Sequence, residues 1–340
     1  MKNCTQIIFS DYSNYELCIK TKNKFYDKFN NEYTGNQYNH PIGNSFNHQT
    51  QLSQLTFGFG FNCPLGNSLA YQTQLKQLIF GTSFNHPLEN SLNRLSQLER
   101  LTFGDFFNHP LGDSLNQLSQ LSQLTFGSRF NCPLENSLNR LSQLKQLTFK
   151  SYYNCPLDNS LNRLSQLEQL TFGFDFNCPL NNCFDHQTQL KQLTFGFDFN
   201  QPLTNSLVHL TQLVGLTFGF SFNHPLDNCI VHLTQLVELT LGFKFNQKLI
   251  IPLNIIKIKL DCDNINLIEN LPNNIVELEL GYYFRLELNN LPNSIKIISF
   301  DPDSRYNKKL NNLPHFLEKL YLPSEYNKEI KNINSECEIF

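Results

Sequence analysis

An asparagine recurs every 23 residues through most of this chain, and the spacing never slips. It follows Phe or Tyr each time, and in nine of its ten occurrences a proline stands two residues later. The occurrences are Asn39, Asn62, Asn85, Asn108, Asn131, Asn154, Asn177, Asn200, Asn223 and Asn246. A fixed period of this length is typical of a solenoid, in which each repeat forms a coil that stacks on the one before it.

Each repeat contains one predicted strand. The copy that begins at Leu98 reads LERLTFGDFFNHPLGDSLNQLSQ, and its Leu101 and Phe103 alternate with Thr102, as expected for a strand with one buried face. A glycine follows this strand in eight of nine full copies, and Lys150 takes its place in the other copy. We interpret the glycine as the residue that ends the strand and permits a bend.

The second half of each repeat predicts a turn or a short helix. Pro cannot donate to a sheet, so the chain turns away from the strand there. The spacing of Leu88, Leu92 and Leu95 is helical, and Asn90 and Ser91 are suitable N-cap residues. One repeat offers too few apolar side chains to offset the entropy of ordering its own residues, so the copies must stack.

These patterns predict an α/β repeat solenoid. The Leu-x-x-Leu strand and the asparagine-bearing turn of each copy resemble leucine-rich repeats, and this resemblance implies a right-handed solenoid with a curved parallel sheet and with turns or short helices on the convex side. Regular repeats span residues 29–258, and residues 1–28 are expected to form an N-terminal cap. Residues 259–340 are expected to contain degenerate repeats of 20–22 residues and a C-terminal cap. Strand patterns near Ile258, Leu278, Ile298 and Leu320 bring the predicted number of strands to thirteen.

The tetrapeptide around each asparagine resembles the FNIP repeat. Phe61-Asn62-Cys63-Pro64 and Phe84-Asn85-His86-Pro87 are two of the copies, and they continue in register to Pro225. This leucine-rich-repeat-like family is known mainly from giant viruses of amoebae and from social amoebae. The isoleucine of the family motif is His, Cys or Gln here. The resemblance implies protein interaction and brings no catalytic residues to transfer.

The asparagine column itself is interpreted as a buried structural ladder, because an Asn side chain offers both an acceptor and donors to neighbouring turns. Exposed amides that bind a ligand, or a merely solvated turn, are the alternatives. The predicted ladder comprises Asn62, Asn85, Asn108, Asn131, Asn154, Asn177, Asn200 and Asn223.

The residue after each asparagine forms a second column, here called the post-asparagine column. Its members are His40, Cys63, His86, His109, Cys132, Cys155, Cys178, Gln201, His224 and Gln247. A half-buried position that tolerates medium-sized residues explains this set. A soft-metal site or disulfide chemistry are alternatives, because thiols and imidazoles would lie in neighbouring coils.

The residue after the strand glycine forms the post-glycine column. Its members are Phe59, Thr82, Asp105, Ser128, Ser151, Phe174, Phe197, Phe220 and Phe243. If the last four face solvent, they form an apolar patch of the kind that marks an interaction site. The alternative is that they turn inward with the strand phenylalanines.

The residue before each strand forms the pre-strand column, which we expect to face outward. It contains Ser53, Lys76, Glu99, Ser122, Lys145, Glu168, Lys191, Val214 and Val237. Opposite charges in neighbouring coils favour the correct register. Lys145, Glu168 and Lys191 belong either to a solvated face or, with the phenylalanines, to a recognition surface.

Composition narrows the function. The net charge of −3 gives no electrostatic case for nucleic acid or an anionic membrane, and no apolar run approaches the length of a spanning helix. Ten cysteines without a signal peptide indicate reduced thiols and a cytoplasmic protein, in the host cytoplasm if the chain is viral. We find no catalytic triad, phosphate loop or paired carboxylates. The expectation is a non-enzymatic protein-interaction scaffold of unknown partner, without cofactor or metal; a structural or self-assembling component is the alternative.

Overall fold

The computed structural model describes residues 6–9, 17–19 and 39–340. The chain divides into two compact units, Met1–Gln187 and Thr188–Phe340. In each unit, successive coils contribute one short strand apiece to a parallel, in-register sheet. The predicted leucine-rich-repeat-like solenoid is therefore confirmed for the fold class.

The first unit contains strands β1 to β8. In chain order they are Gln6–Phe9, Leu17–Ile19, Gln54–Thr56, Gln77–Ile79, Arg100–Thr102, Gln123–Phe126, Gln146–Phe149 and Gln169–Thr171. Strand β1 pairs with β3 in parallel, and β2 pairs with β1 in the antiparallel sense. These two strands lie in the segment that we predicted to be a cap; the rest of residues 1–28 lies outside the described residues.

The second unit contains strands β9 to β16 and two short helices. The strands are Gln192–Thr194, Gly215–Thr217, Glu238–Leu241, Lys257–Leu260, Glu277–Leu280, Ile297–Phe300, Lys319–Tyr321 and Glu338–Ile339. Helix α1 is Asp227–Ile230 and helix α2 is Ile265–Glu269. The four strands predicted in the degenerate repeats are β12 to β15, and β16 is one that the sequence patterns did not predict.

The core of each regular coil from β3 to β10 is made of leucine and two aromatic rings. Leu101 of β5 and Phe103, which directly follows the strand, are buried whereas Thr102 is half-buried, as the alternation predicts. Phe103 stacks on Phe107 of its own coil with ring centroids 4.2 Å apart, and on Phe126 of the next coil at 5.4 Å. The same contacts recur along the first unit, so two files of stacked rings account for many of the chain's phenylalanines.

The back of the coil is built from turns, one of the two predicted alternatives, and no helix occurs in the described part of the first unit. The backbone N–H of Ser91 donates to Leu88, and that of Leu95 to Leu92, which are three-residue steps. Glu89 interrupts the helical pattern because it has a left-handed φ of 47°. Ser91 is not an N-cap: it is buried, and its hydroxyl donates to the Leu88 carbonyl.

The strand glycines lie where the strand ends and the chain turns, and they allow a close approach between coils. A Cβ at Gly104 would lie 1.7 Å from the carbonyl oxygen of Gly81, and one at Gly127 would lie 1.9 Å from that of Gly104. Neither glycine has a left-handed φ. The column does lie at a turn, since the backbone N–H of Phe107 donates to the carbonyl oxygen of Gly104, and glycine is needed there because the backbone of the preceding coil occupies the space of a side chain.

Candidate interaction surface

The asparagines form a hydrogen-bonded ladder at the surface. The backbone N–H of Asn131 donates to the side-chain oxygen of Asn108 at 2.9 Å. The same bond joins each consecutive pair from Asn39 to Asn177 in the first unit and from Asn200 to Asn246 in the second. The side chains are exposed or half-buried, so the expectation of a buried ladder is wrong about burial. Their side-chain oxygens accept hydrogen bonds from the backbone of the next coil and so join the two coils.

The post-asparagine column braces this ladder. The Cys132 thiol donates to the side-chain oxygen of Asn108 at 3.3 Å, and Cys63, Cys155 and Cys178 make the equivalent bond. Burial raises the pKa of the Cys132 and Cys155 thiols above the ordinary range, which disfavours the thiolate. Across residues 39–340, no group of three or more His, Cys, Asp or Glu side chains is arranged to hold a metal, and the cysteines there are not in disulfides.

The pre-strand column faces solvent and forms ion pairs between coils of the first unit. Lys76 contacts Glu99 at 2.8 Å, and Lys145 contacts Glu168 at 3.7 Å. Lys191, in the second unit, is also exposed. Exposed pairs of this kind contribute little to stability, so they mainly define the polarity of the surface.

A charged cluster on β12 and β13 was missed by sequence reasoning. Lys257 lies between Glu277, at 3.0 Å, and Glu279, at 2.6 Å, and Lys259 is 3.8 Å from Glu279. The hydrogen bond from Lys257 to Glu279 holds the pKa of the lysine above its usual value. The signal was available, because the stretches KIKL and ELEL place opposite charges on the outward face of neighbouring strands.

The phenylalanines of the second unit lie outside the core and stack on one another. The ring centroids of Phe197 and Phe220 are 4.4 Å apart, and those of Phe220 and Phe243 are 4.9 Å apart. Tyr283 lies 4.7 Å from Phe243 and meets Phe220 edge-on at 5.4 Å. We call Phe197, Phe220, Phe243 and Tyr283 the aromatic strip. Phe243 and Tyr283 are 38% and 37% exposed, so the inward alternative is wrong for this column.

The first unit also exposes aromatic residues in the loops that follow its strands. Phe59 and Phe174, of the post-glycine column, are each 50% exposed. Phe106 and Tyr152, one position later in their coils, are exposed too. The guanidinium of Arg129 lies 4.1 Å from the Phe106 ring centroid. Both units therefore present large aromatic side chains at the same place in the coil.

Of the helices that the structure describes, none is long and apolar enough to cross a membrane. The strongly raised pKa values belong to groups in structural places, such as the buried thiols of Cys183 and Cys262, each raised by burial to about 12.

Comparison with solved structures places the fold among leucine-rich-repeat proteins. CroV588, described as a novel circular LRR protein, is 27% identical with a TM-score of 0.60; the match covers 82% of this chain and 44% of that one. The internalin InlF of Listeria monocytogenes is 16% identical, with a TM-score of 0.57 and coverage of 98% and 86%. The LRR protein LIC12759 of Leptospira interrogans is 16% identical, with a TM-score of 0.53 and coverage of 90% and 93%.

The chain therefore has a leucine-rich-repeat-like fold and spans less than half the length of CroV588. No protein-family model matches the sequence, and no curated protein matches it.

Proposed function

We propose that this protein is a non-catalytic scaffold that binds another protein through the loops at the ends of its strands. The observation that carries the proposal is the exposure of aromatic side chains there, while the equivalent strand phenylalanines are fully buried. Exposed apolar groups gathered in one place mark interaction sites, and aromatic residues are enriched in the centres of protein interfaces.

The regular part of the coil supports a binding role over an enzymatic one. The asparagine oxygens and the thiols beside them bond to neighbouring coils. Charged side chains of the pre-strand column likewise form ion pairs with neighbouring coils. The leucine-rich-repeat fold favours binding in general, because solenoids offer extended surfaces, although a shared fold does not by itself determine function.

Family and location belong to the same proposal. The Phe-Asn-x-Pro tetrapeptides, which form the ladder turns, support a divergent FNIP-repeat protein of giant-virus or social-amoeba type. The thiols of the described cysteines support a reducing compartment, and hence the cytoplasm of the cell or of a viral host. We propose a protein partner and no nucleic-acid or membrane ligand, in keeping with the net charge of −3.

Affinity capture with matched variants tests the scaffold function. The full chain, a Phe220→Ser/Phe243→Ser variant and a Tyr152→Ser/Phe174→Ser variant are each used to capture proteins from an amoebal lysate. The control is Val208→Ser/Val231→Ser, which removes exposed apolar groups from the back of the coils. We expect wild type and control to retain the same partner and at least one aromatic variant to lose it. Identical captured sets from all four proteins would overturn the proposal.

Self-assembly is the second candidate function, favoured by the same exposed rings. Light scattering of the purified chain at increasing concentration distinguishes it. A mass that grows with concentration, and that falls to the monomer in the Phe220→Ser/Phe243→Ser variant, identifies the rings as a contact between copies. A constant monomer mass leaves the partner-binding scaffold.

A further inference from the structure

The aromatic strip presents ring edges, not ring faces. Phe220 has Phe197 on one side, at an interplanar angle of 5°, and Phe243 on the other, at 25°. Tyr283 packs against Phe243 at 52°. Because Phe220 and Phe243 are occupied by their neighbours, they offer little room for a base or a sugar to stack. The exposed edges suit contact with apolar side chains instead.

The end of the strip is held in place by a shortened coil. Asp263 lies one residue after the buried Cys262, and its side-chain oxygen accepts the backbone N–H of Arg285, in the manner of a ladder asparagine. This coil therefore has no residues equivalent to the post-glycine loop. Tyr283, from the coil after it, reaches across the gap to Phe243. The backbone N–H of Tyr283 donates to Asp261 at 2.8 Å, which fixes the tyrosine loop.

Two charges beside the strip have no ion-pair partner within the described residues. Lys244 is exposed, follows Phe243, and places its ammonium 5.5 Å from the Phe220 ring centroid. Asp198 is half-buried and follows Phe197. Their charges therefore remain available at the two ends of the phenylalanine row.

The corresponding loops of the first unit are satisfied internally. Lys150 contacts Asp105 at 3.0 Å, across two coils, and forms an ion pair with it. Asp105 also accepts the hydroxyl hydrogen of Ser128 at 3.0 Å. The same place in the coil can therefore neutralise its own charges, and in the second unit it does not.

We propose that the aromatic strip binds a segment of a partner protein that carries apolar side chains between an acidic and a basic residue. The apolar side chains contact the edges of Phe220, Phe243 and Tyr283. The acidic residue pairs with Lys244 and the basic one with Asp198. Complementary charges around an apolar centre set the orientation and specificity of such a contact. This inference rests on the proposed scaffold function and specifies the chemistry of its partner.

Selection from a random peptide library tests this chemistry without a known partner. Peptides displayed on phage are selected on the full chain and depleted on the Phe220→Ser/Phe243→Ser variant. We expect the survivors to combine apolar residues with Asp or Glu on one side and Lys or Arg on the other. Survivors without an acidic residue, or no survivors, would overturn the inference.

Charge reversal at Lys244 provides the second measurement, because this side chain is exposed. We expect Lys244→Glu to weaken the best peptide by about tenfold or more, and the matched surface change Lys248→Glu to leave it unchanged. A peptide whose acidic residue is replaced by lysine should regain affinity for Lys244→Glu. Equal binding to wild type and Lys244→Glu would contradict the assignment of Lys244.

The remaining outcomes separate this inference from the scaffold function. If lysate capture depends on the strip but the selected peptides are insensitive to Lys244, the scaffold stands and the charge assignment fails. If capture is independent of every aromatic variant, the scaffold function itself fails. Binding of an oligothymidylate, or a dimer that the Phe220→Ser/Phe243→Ser change dissolves, would each replace the peptide segment as the occupant.

Discussion

The backbone N–H of Arg285 donates to the side-chain oxygen of Asp263 at 2.6 Å. This is the bond that each ladder asparagine makes, yet neither residue is asparagine and they are 22 residues apart rather than 23. Asp263 follows the buried Cys262, just as each ladder asparagine from Asn62 to Asn246 follows a buried Phe or Tyr. The coil thus requires an acceptor oxygen after a buried side chain, and an amide or a carboxylate can supply it.

We expect Asn131→Asp to be tolerated and Asn131→Ala to loosen the next coil. The Asn131 oxygen accepts the backbone N–H of Asn154 at 2.9 Å and the Cys155 thiol at 3.3 Å. Alanine removes this acceptor, at a cost of about 1 kcal/mol, because water can replace part of it at the surface. Hydrogen exchange of the backbone N–H of Asn154 should accelerate in Asn131→Ala only. Equal acceleration in both variants would show that the ladder needs the side-chain amide of Asn131 and not only an acceptor oxygen.

Gly104→Ala should be among the more damaging single substitutions. The new methyl would lie 1.7 Å from the Gly81 carbonyl oxygen and 3.1 Å from the Thr82 Cα, and backbone atoms cannot rotate away. We expect a loss of about 1–3 kcal/mol, measured as a lower melting temperature by circular dichroism. Lys150→Ala is the control, because that position already carries a Cβ and loses only an exposed ion pair. Similar losses in the two variants would contradict the close-approach explanation.

Glycine should stabilise the turn at the back of a coil where the native residue has a left-handed φ. Thr204 has a left-handed φ of 42°, which is unfavourable for a β-branched residue. Thr204→Gly should therefore raise the free energy of unfolding by up to about 1 kcal/mol, after the added entropy of the unfolded chain is subtracted. Gly66→Ala is the reverse test: its φ is 49° and a Cβ there meets nothing within 4 Å, so backbone strain, less the entropy that the unfolded chain loses, should lower the free energy of unfolding. Shifts of the same sign would contradict this account.

The sequence was sufficient for the parts of the fold that repeat. The alternation around Thr102 predicts β5, and the regular spacing predicts the stacking of coils, because the same strand and turn residues recur in every full copy. Whether the back would be turns or short helices could not be decided in this way: the described part of the first unit has turns, and the second unit has two short helices. Glycine indicates the left-handed turn at Gly66 and Gly112. Glu89 adopts the same conformation, but glutamate does not indicate it, and the leucine spacing there still predicts a helix.

The aromatic surface shows the other limit of sequence reasoning. The column of Phe197, Phe220 and Phe243 follows from the period, whereas its exposure depends on the path of the loop after the strand. Tyr283 could not be assigned to the column, because the coil between it and Phe243 is shorter and its residues have no fixed register. Contacts that skip a coil are invisible to a pattern that compares neighbouring copies.

Tyr153→Phe should stabilise the protein, and increasingly so in alkali. Tyr153 stacks between Phe130, at 5.9 Å, and Phe176, at 6.1 Å, and its buried hydroxyl has no hydrogen-bond partner within the described residues. Removing this hydroxyl should raise the free energy of unfolding by about 1 kcal/mol at neutral pH. The other full copies already have phenylalanine at the equivalent position.

The pH dependence of this gain follows from the pKa of Tyr153, which burial raises well above the usual tyrosine range. In the unfolded chain the hydroxyl ionises near pH 10, whereas the folded chain keeps the proton. Above that pH the folded state binds more protons, so the free energy of unfolding of the wild type falls as pH rises. The difference in melting temperature between Tyr153→Phe and wild type should therefore widen above about pH 10. A destabilised Tyr153→Phe would reveal that the hydroxyl has a partner.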